Sequence, residues 1–171
     1  MGRVIPPAFF AAPATDLAPR LPGKWLCRRV GDTVLRCRIT ETECYYGEED
    51  TACHAHHGRT ARTDTLYLPG GFTYVYLCYG IHSMLNLVTG PEGHPEAVLI
   101  RGVEGASGPG RVTKKLAIRC ADNRLLLTPE AGIWLEEDEA PPPAVVAGPR
   151  VGIDYADPAD RERPWRFIIK K

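Results

Sequence analysis

Arg36–His57 reads RCRITETECYYGEEDTACHAHH, and the part of it that ends at Tyr46 decides the fold. Val34, Leu35, Cys37, Ile39, Thr42 and Cys44 supply the apolar or β-branched bulk of a strand. Strand side chains alternate with period two. Glu41, Glu43 and Tyr45 therefore share one face, and Thr42, Cys44 and Tyr46 share the other. An acid and an aromatic ring then point together into one cavity, as a pocket for a flat, polar substrate requires. Gly47, Glu48, Glu49 and Asp50 read as a solvated turn, after which Thr51–His54 returns the chain and brings His54 back toward that cavity.

Working outward, Trp25–Val30 and Thr33–Tyr46 are predicted to form an antiparallel pair joined at Gly31-Asp32. Residues 7–22 suggest short helical turns limited by prolines, with Thr15 or Asp16 as N-cap and Phe9 and Phe10 as core anchors. On the other side, His54–Pro69 is polar and irregular. It reads as a surface loop whose Arg59 and Arg62 can touch an anionic ligand. Phe72–Tyr79 is strongly β-prone, with Tyr74 and Tyr76 on one face and Tyr79 at the strand end before Gly80. Ser83–Val88 and Ala97–Val103 continue the sheet. Arg101, inside the second of these, is either paired across the sheet or aimed at a ligand, since an unpaired buried charge is costly. Arg111–Ile118 has helical spacing, with Lys114 and Lys115 on an outward basic side. Short strands are expected around 125–127, 133–135, 144–146, 150–153 and 165–169. The fold class is α+β: a single domain over residues 1–171 with a curved, mainly antiparallel sheet and short helices.

Composition bounds the rest. With 171 residues, 44% hydrophobic and 25% charged, the chain suits one domain with a real core. The six cysteines form no CxxC pair, and no apolar run approaches the length of a membrane span, so free thiols, a reducing cytoplasm and no membrane partner are expected. Net charge is zero, which taken alone argues against nucleic acid. Its distribution is uneven: bases dominate residues 1–38, 101–124 and 161–171, whereas acids cluster in 41–50 and 130–139. Such blocks either build a basic and an acidic face or simply solvate unrelated loops.

Glu43 is the leading candidate for a general base, because a carboxylate between Tyr45 and an apolar wall can hold and polarise water. The bland alternative is an exposed or salt-bridged strand glutamate. Cys53, His54 and His56 are ligand types for zinc, which opens a metal-dependent hydrolase with Glu43 as base, although their spacing fits no closed-site pattern. Tyr45, Tyr74, Tyr76 and Tyr79 serve either as cross-strand core partners or as stacking platforms for bases. Gly102–Gly110 lacks the GxxxxGK[ST] pattern, so no triphosphate site is assigned.

Several runs in order carry a resemblance: RCRITETECYYGEEDTACH, TYVYLCYG, MLN, AVLIRGVE, GPGRVTKKLAI, RVGI at 150–153 and PWRF at 164–167. Together they resemble the alkyladenine (3-methyladenine) DNA glycosylase family over essentially the whole chain. The resemblance implies a monofunctional enzyme that flips a damaged purine out of duplex DNA and hydrolyses its N-glycosidic bond. It needs no metal or cofactor and is expected to act as a monomer. It also implies roles: Glu43 as general base, Arg101 as water-holding partner, Tyr45, His54 and Tyr76 as the base pocket. Asn86 would crowd the 2-amino group of guanine, and Tyr79 would wedge into the duplex. Arg59, Arg62, Lys114 and Lys115 are the candidate contacts to the DNA backbone. Thr63 and Leu66 depart from the family pattern, where Asn and Met are usual. A damaged-DNA-binding module that kept the fold without the chemistry is the non-enzymatic alternative.

Overall fold

The computed structural model describes residues 2–171. Its strands in chain order are β1 (Arg3–Val4), β2 (Trp25–Val30), β3 (Thr33–Tyr46), β4 (Thr73–Cys78), β5 (His82–Val88), β6 (Glu96–Val103), β7 (Ala106–Ser107), β8 (Ile133–Glu137), β9 (Val145–Gly148) and β10 (Arg166–Ile169). The helices are short: α1 (Ala14–Leu17), α2 (Pro109–Lys115) and α3 (Pro158–Glu162). The main sheet runs β1-β8-β2-β3-β6-β5-β4, with β7 paired to β6, β10 paired to β3 and β9 paired to β10. Every pairing among these strands is antiparallel. The expected α+β fold is therefore the observed one.

β3 is the spine. It pairs with β2 over Thr33–Arg38, then with β6 over Ile39–Tyr46 and with β10 over Glu41–Glu43. The register with β6 shifts between Ile39 and Thr42, so the strand bends where it changes partners. Gly102 lies opposite that bulge, where a Cβ would stand 2.9 Å from the Thr40 hydroxyl. A side chain there would push the bend apart.

Alternation along these strands separates two environments. Cys44, Val75, Leu85, Leu87, Val98 and Ile100 face the main core, where they meet Phe10, Leu17, Ile39, Val112 and Leu116. Burying a large aliphatic side chain of this kind contributes roughly 1.5–3 kcal/mol, so this face holds the sheet to the helices. The opposite face carries Tyr45, Tyr74, Tyr76 and Ala97, packed with Cys53, Leu66 and Tyr67 in a smaller cluster. The site forms on that second face.

Several expectations need correction. Neither Thr15 nor Asp16 caps α1; the N-cap is Pro13, and the Ala14 N–H donates to the buried Glu96 Oε1 at 2.7 Å, a carboxylate supplied from far along the chain. Residues 150–153 form no strand, because their polar groups are committed to side chains of other segments. Residues 125–127 contribute an isolated bridge, Phe72 with Leu126, after Arg124 turns the chain at φ 63°. His54–Pro69 is not wholly a surface loop: it contains two 3-10 turns, His54–His57 and Asp64–Tyr67, and buries Thr65, Leu66 and Tyr67. Phe9 is partly buried against the core that Phe10 fills. The six cysteines are unpaired, four of them buried. Among the described residues no helix is long and apolar enough to cross a membrane.

Candidate active site

The cross-strand register lines up a row. Tyr74 on β4 opposes Asn86 on β5, Asn86 opposes Leu99 on β6, Leu99 opposes Glu43 on β3, and Glu43 opposes Arg166 on β10. Strands sit about 4.8 Å apart, so Tyr74 and Glu43 are separated by roughly 14 Å along the row. Above it opens a cavity of about 1120 Å³, whose lining includes Glu43, Tyr45, His54, Arg62, Tyr76 and Arg101. The space is larger than one planar ring needs. It extends from the row to the tip of the β4–β5 hairpin and to α2.

Glu43 forms the floor and is fully buried. Its Oε1 accepts from the Tyr45 hydroxyl at 2.9 Å, and its Oε2 accepts from the Val151 backbone N–H at 2.7 Å. The Arg101 Nε stands 3.9 Å from Glu43 Oε2 and 3.4 Å from Glu41 Oε2, so the guanidinium is shared between two carboxylates. Burial pushes the Glu43 pKa up; the Val151 N–H and the Arg101 charge oppose that rise without cancelling it. A buried carboxylate held by oriented donors, with one side open to a cavity, is equipped to take a proton.

Segment 150–155 supplies the other half of the floor. Arg150, with a side chain wholly out of solvent, binds both Asp50 oxygens at 2.6 and 3.0 Å and also donates to the Cys44 and Asp160 carbonyls. That clamp sets Val151 on Glu43. Tyr155, two-thirds exposed, is fixed by its hydroxyl, which donates to the Ala52 carbonyl at 2.7 Å.

The aromatic wall is made by His54, Tyr74 and Tyr76. His54 meets Tyr76 edge-on with centroids 4.4 Å apart, its Nδ1 is 3.1 Å from the Tyr74 hydroxyl, and Tyr74 lies 5.5 Å from Tyr76. Burial first, and the Arg62 charge second, lower the His54 pKa to about 4, so the ring is neutral across the physiological range. The buried Asn86 donates from Nδ2 to the Tyr74 carbonyl at 3.3 Å. Tyr79 sits at the hairpin tip, 92% exposed, in a left-handed conformation with φ 52°, followed by Gly80 at φ 66°. Of the four basic candidates, Arg62 and Lys114 line the cavity. Arg59 is committed to Asp64 at 2.6 Å and to the Tyr67 ring, and the Lys115 ammonium lies beside Gly105.

Cys53, His54 and His56 do not converge. His54 faces Tyr74, the His56 Nδ1 is bound to the Glu48 carbonyl, and burial raises the Cys53 thiol to about 12. Among the described residues no group of three or more His, Cys, Asp or Glu side chains is arranged to hold a metal ion.

The family model described as Methylpurine-DNA glycosylase (MPG) matches residues 8–108 and 104–171. The chain belongs to this family. Relatives of similar length agree. The chain is 45% identical over 195 residues to a protein of Psychrobacter cryohalolentis, covering 96% of this chain and 91% of the relative. It is 42% identical over 188 residues to one of Nitrosococcus oceani, covering 99% and 91%. Both relatives carry the name "Putative 3-methyladenine DNA glycosylase". In this methylpurine-DNA glycosylase family member, sequence reasoning singled out Glu43, Arg101, Tyr45, His54, Tyr76 and Asn86, and the fold brings all of them to one cavity. It missed the roles of Val151, Arg150 and Asp50. A backbone donor leaves no trace in residue type. The signal that existed was Asp50, an acid that the turn composition marks as solvated and that is instead 3% exposed.

Proposed function

We propose that this chain is a monofunctional DNA glycosylase that hydrolyses the N-glycosidic bond of a damaged purine flipped out of duplex DNA. The observation that carries the reading is the fully buried Glu43, bound by Tyr45 and Val151 on the floor of an aromatic cavity. The substrates are 3-methyladenine, 7-methylguanine, hypoxanthine and ethenoadenine in DNA, and the protein acts as a monomer.

A flipped purine stacks against Tyr76, His54 and Tyr45, where aromatic contact is worth roughly 1–3 kcal/mol per base and is strongest for electron-poor rings. Flipping costs a few kcal/mol of unstacking, least for damaged or mispaired bases. Tyr79 fills the vacated step in the duplex and offsets part of that cost. Asn86, buried beside the Tyr74 carbonyl, crowds the purine edge where guanine carries its 2-amino group. As the bond to the base lengthens, the sugar gains positive charge, which the Glu43 carboxylate stabilises. Water between Glu43 and Arg101 attacks C1′ and gives its proton to Glu43. Arg101, shared with Glu41, opposes with its charge the rise in pKa that burial imposes on Glu43. Arg62 and Lys114, at the cavity lining, are the contacts to the DNA backbone best placed near the flipped nucleotide.

The test is single-turnover base release from short duplexes bearing each lesion, with EDTA present. Wild type should release them, while Glu43→Gln loses about 100-fold or more and still binds lesion DNA. Turnover by Glu43→Gln at the wild-type rate would remove Glu43 from the mechanism.

A further inference from the structure

Four cations line the cavity, Arg62, Arg101, Arg111 and Lys114, and others stand behind its walls. Arg101 is shared by Glu41 and Glu43, Arg150 is clamped on Asp50, and Arg59 and Arg124 both bind Asp64. Among the described residues Arg62, Arg111 and Lys114 have no carboxylate partner, and of these three it is Arg62 that lies against the aromatic wall, its guanidinium carbon 5.3 Å from the Tyr76 ring centroid. It lines the main cavity and also a second cavity of about 340 Å³ that shares His54 and Tyr155 with the first. An unneutralised charge is thus held at the aromatic wall.

Excision makes unequal demands there. A cationic base such as 7-methylguanine departs as a neutral molecule. A neutral base such as hypoxanthine takes the bonding pair with it and departs as an anion unless it is protonated. The side chains of the aromatic wall are poor acids for that task. His54 is deprotonated, with its pKa lowered to about 4, and burial raises Tyr74 to about 12 and Tyr76 further still.

We propose that Arg62 is the leaving-group residue for neutral purines, its guanidinium stabilising the negative charge that the departing base acquires. The inference rests on the glycosylase reading above. The C1′–N9 bond breaks and its electron pair stays on N9, delocalised over the purine and attracted to Arg62, which keeps its own protons. The oxygen of water bonds to C1′, its proton passes to Glu43 and from there to solvent, and the released purine anion takes a proton from solvent. The net change is the addition of one water. The guanidinium lies over the Tyr76 ring, and Arg62, long and exposed, can swing from there to the edge of a purine seated against that wall.

The experiment compares single-turnover release of hypoxanthine and of 7-methylguanine under saturating protein for wild type, Arg62→Met and Arg62→Lys. Arg62→Met should lower the hypoxanthine-to-7-methylguanine rate ratio by about 100-fold, the scale for loss of one donor to a developing anion, and Arg62→Lys should restore part of it. A ratio unchanged in Arg62→Met, whether both rates fall together or neither falls, would overturn the inference and leave Arg62 as a backbone contact. Wild type that releases neither base would sink the glycosylase reading, and this inference with it.

Discussion

Replacing Arg150 with Met removes the clamp beneath the site without opening a large hole. The guanidinium makes four hydrogen bonds, two of them to Asp50, and both side chains are out of solvent. After the change Asp50 stays buried with the Tyr46 and Ala52 backbone N–H groups as its remaining donors. Removing one partner of such a pair costs about 3–5 kcal/mol, because the other charge is left uncompensated. For a chain of this size that lowers Tm by about 6–20 °C. Val151 also loses its anchor, so its N–H leaves Glu43. That donor holds the Glu43 pKa down against burial, and its loss raises the pKa further. The acid limb of the excision pH profile should therefore move to higher pH. Urea unfolding and calorimetry read the first effect, and single-turnover rates from pH 5 to 8 read the second. Asp50→Leu combined with Arg150→Met should regain part of the stability, since it removes the unpaired charge while leaving the Tyr46 and Ala52 N–H groups without their acceptor. A loss below about 1 kcal/mol in Arg150→Met together with an unmoved acid limb would refute the clamp, because the smallest cost expected of a broken buried pair is about 3 kcal/mol.

Two further outcomes follow from groups at the cavity. His54 has a folded pKa of about 4 against an ordinary value of 6.5, chiefly through burial. The stability it contributes is complete above pH 6.5 and is lost as pH falls toward 4, up to about 3 kcal/mol and less where solvent reaches the ring. Urea unfolding between pH 7.5 and 4.5 should show that loss in wild type and a flatter curve in His54→Asn; parallel curves would contradict the assignment. Tyr79→Gly relieves a left-handed conformation that costs an L-residue about 1–2 kcal/mol, so the variant should unfold later while releasing well-paired lesions more slowly. A destabilised variant would count against the strain, and unchanged release of every lesion against the wedge.

The strands were legible because their signal is local. Alternation in TETECYY put Glu41, Glu43 and Tyr45 on one face, and alternation in TYVYLC did the same for Tyr74 and Tyr76. What escaped is long-range. The α1 cap is a side chain 82 residues away, so Thr15 and Asp16, the local capping residue types, were misleading. Segment 150–153 has strand-like composition, yet Arg150 is drawn to Asp50 and Val151 to Glu43, contacts that outcompete a ladder. The same blindness applied to cations: Arg59 and Arg62 look alike in sequence, and their surroundings alone distinguish the one bound to Asp64 from the one over Tyr76.

The aligned row from Tyr74 to Glu43 dictates where the chain tolerates insertions. Its register is counted residue by residue through β4, β5, β6 and β3. One residue added between Thr73 and Val75 would turn every later side chain of that strand to the opposite face, taking Tyr76 off the cavity side and putting Val75 in its place, and one added within His82–Val88 ahead of Asn86 would do the same to Asn86. No neighbouring adjustment rescues such a slip. The exposed Asp138–Pro142 connection touches no member of the row, so length variation can accumulate there without recalibrating the site. Among relatives, divergence in length should gather in such connections while the spacing from Tyr74 to Asn86 stays fixed, and a library built on this scaffold can vary loop length freely only outside that interval.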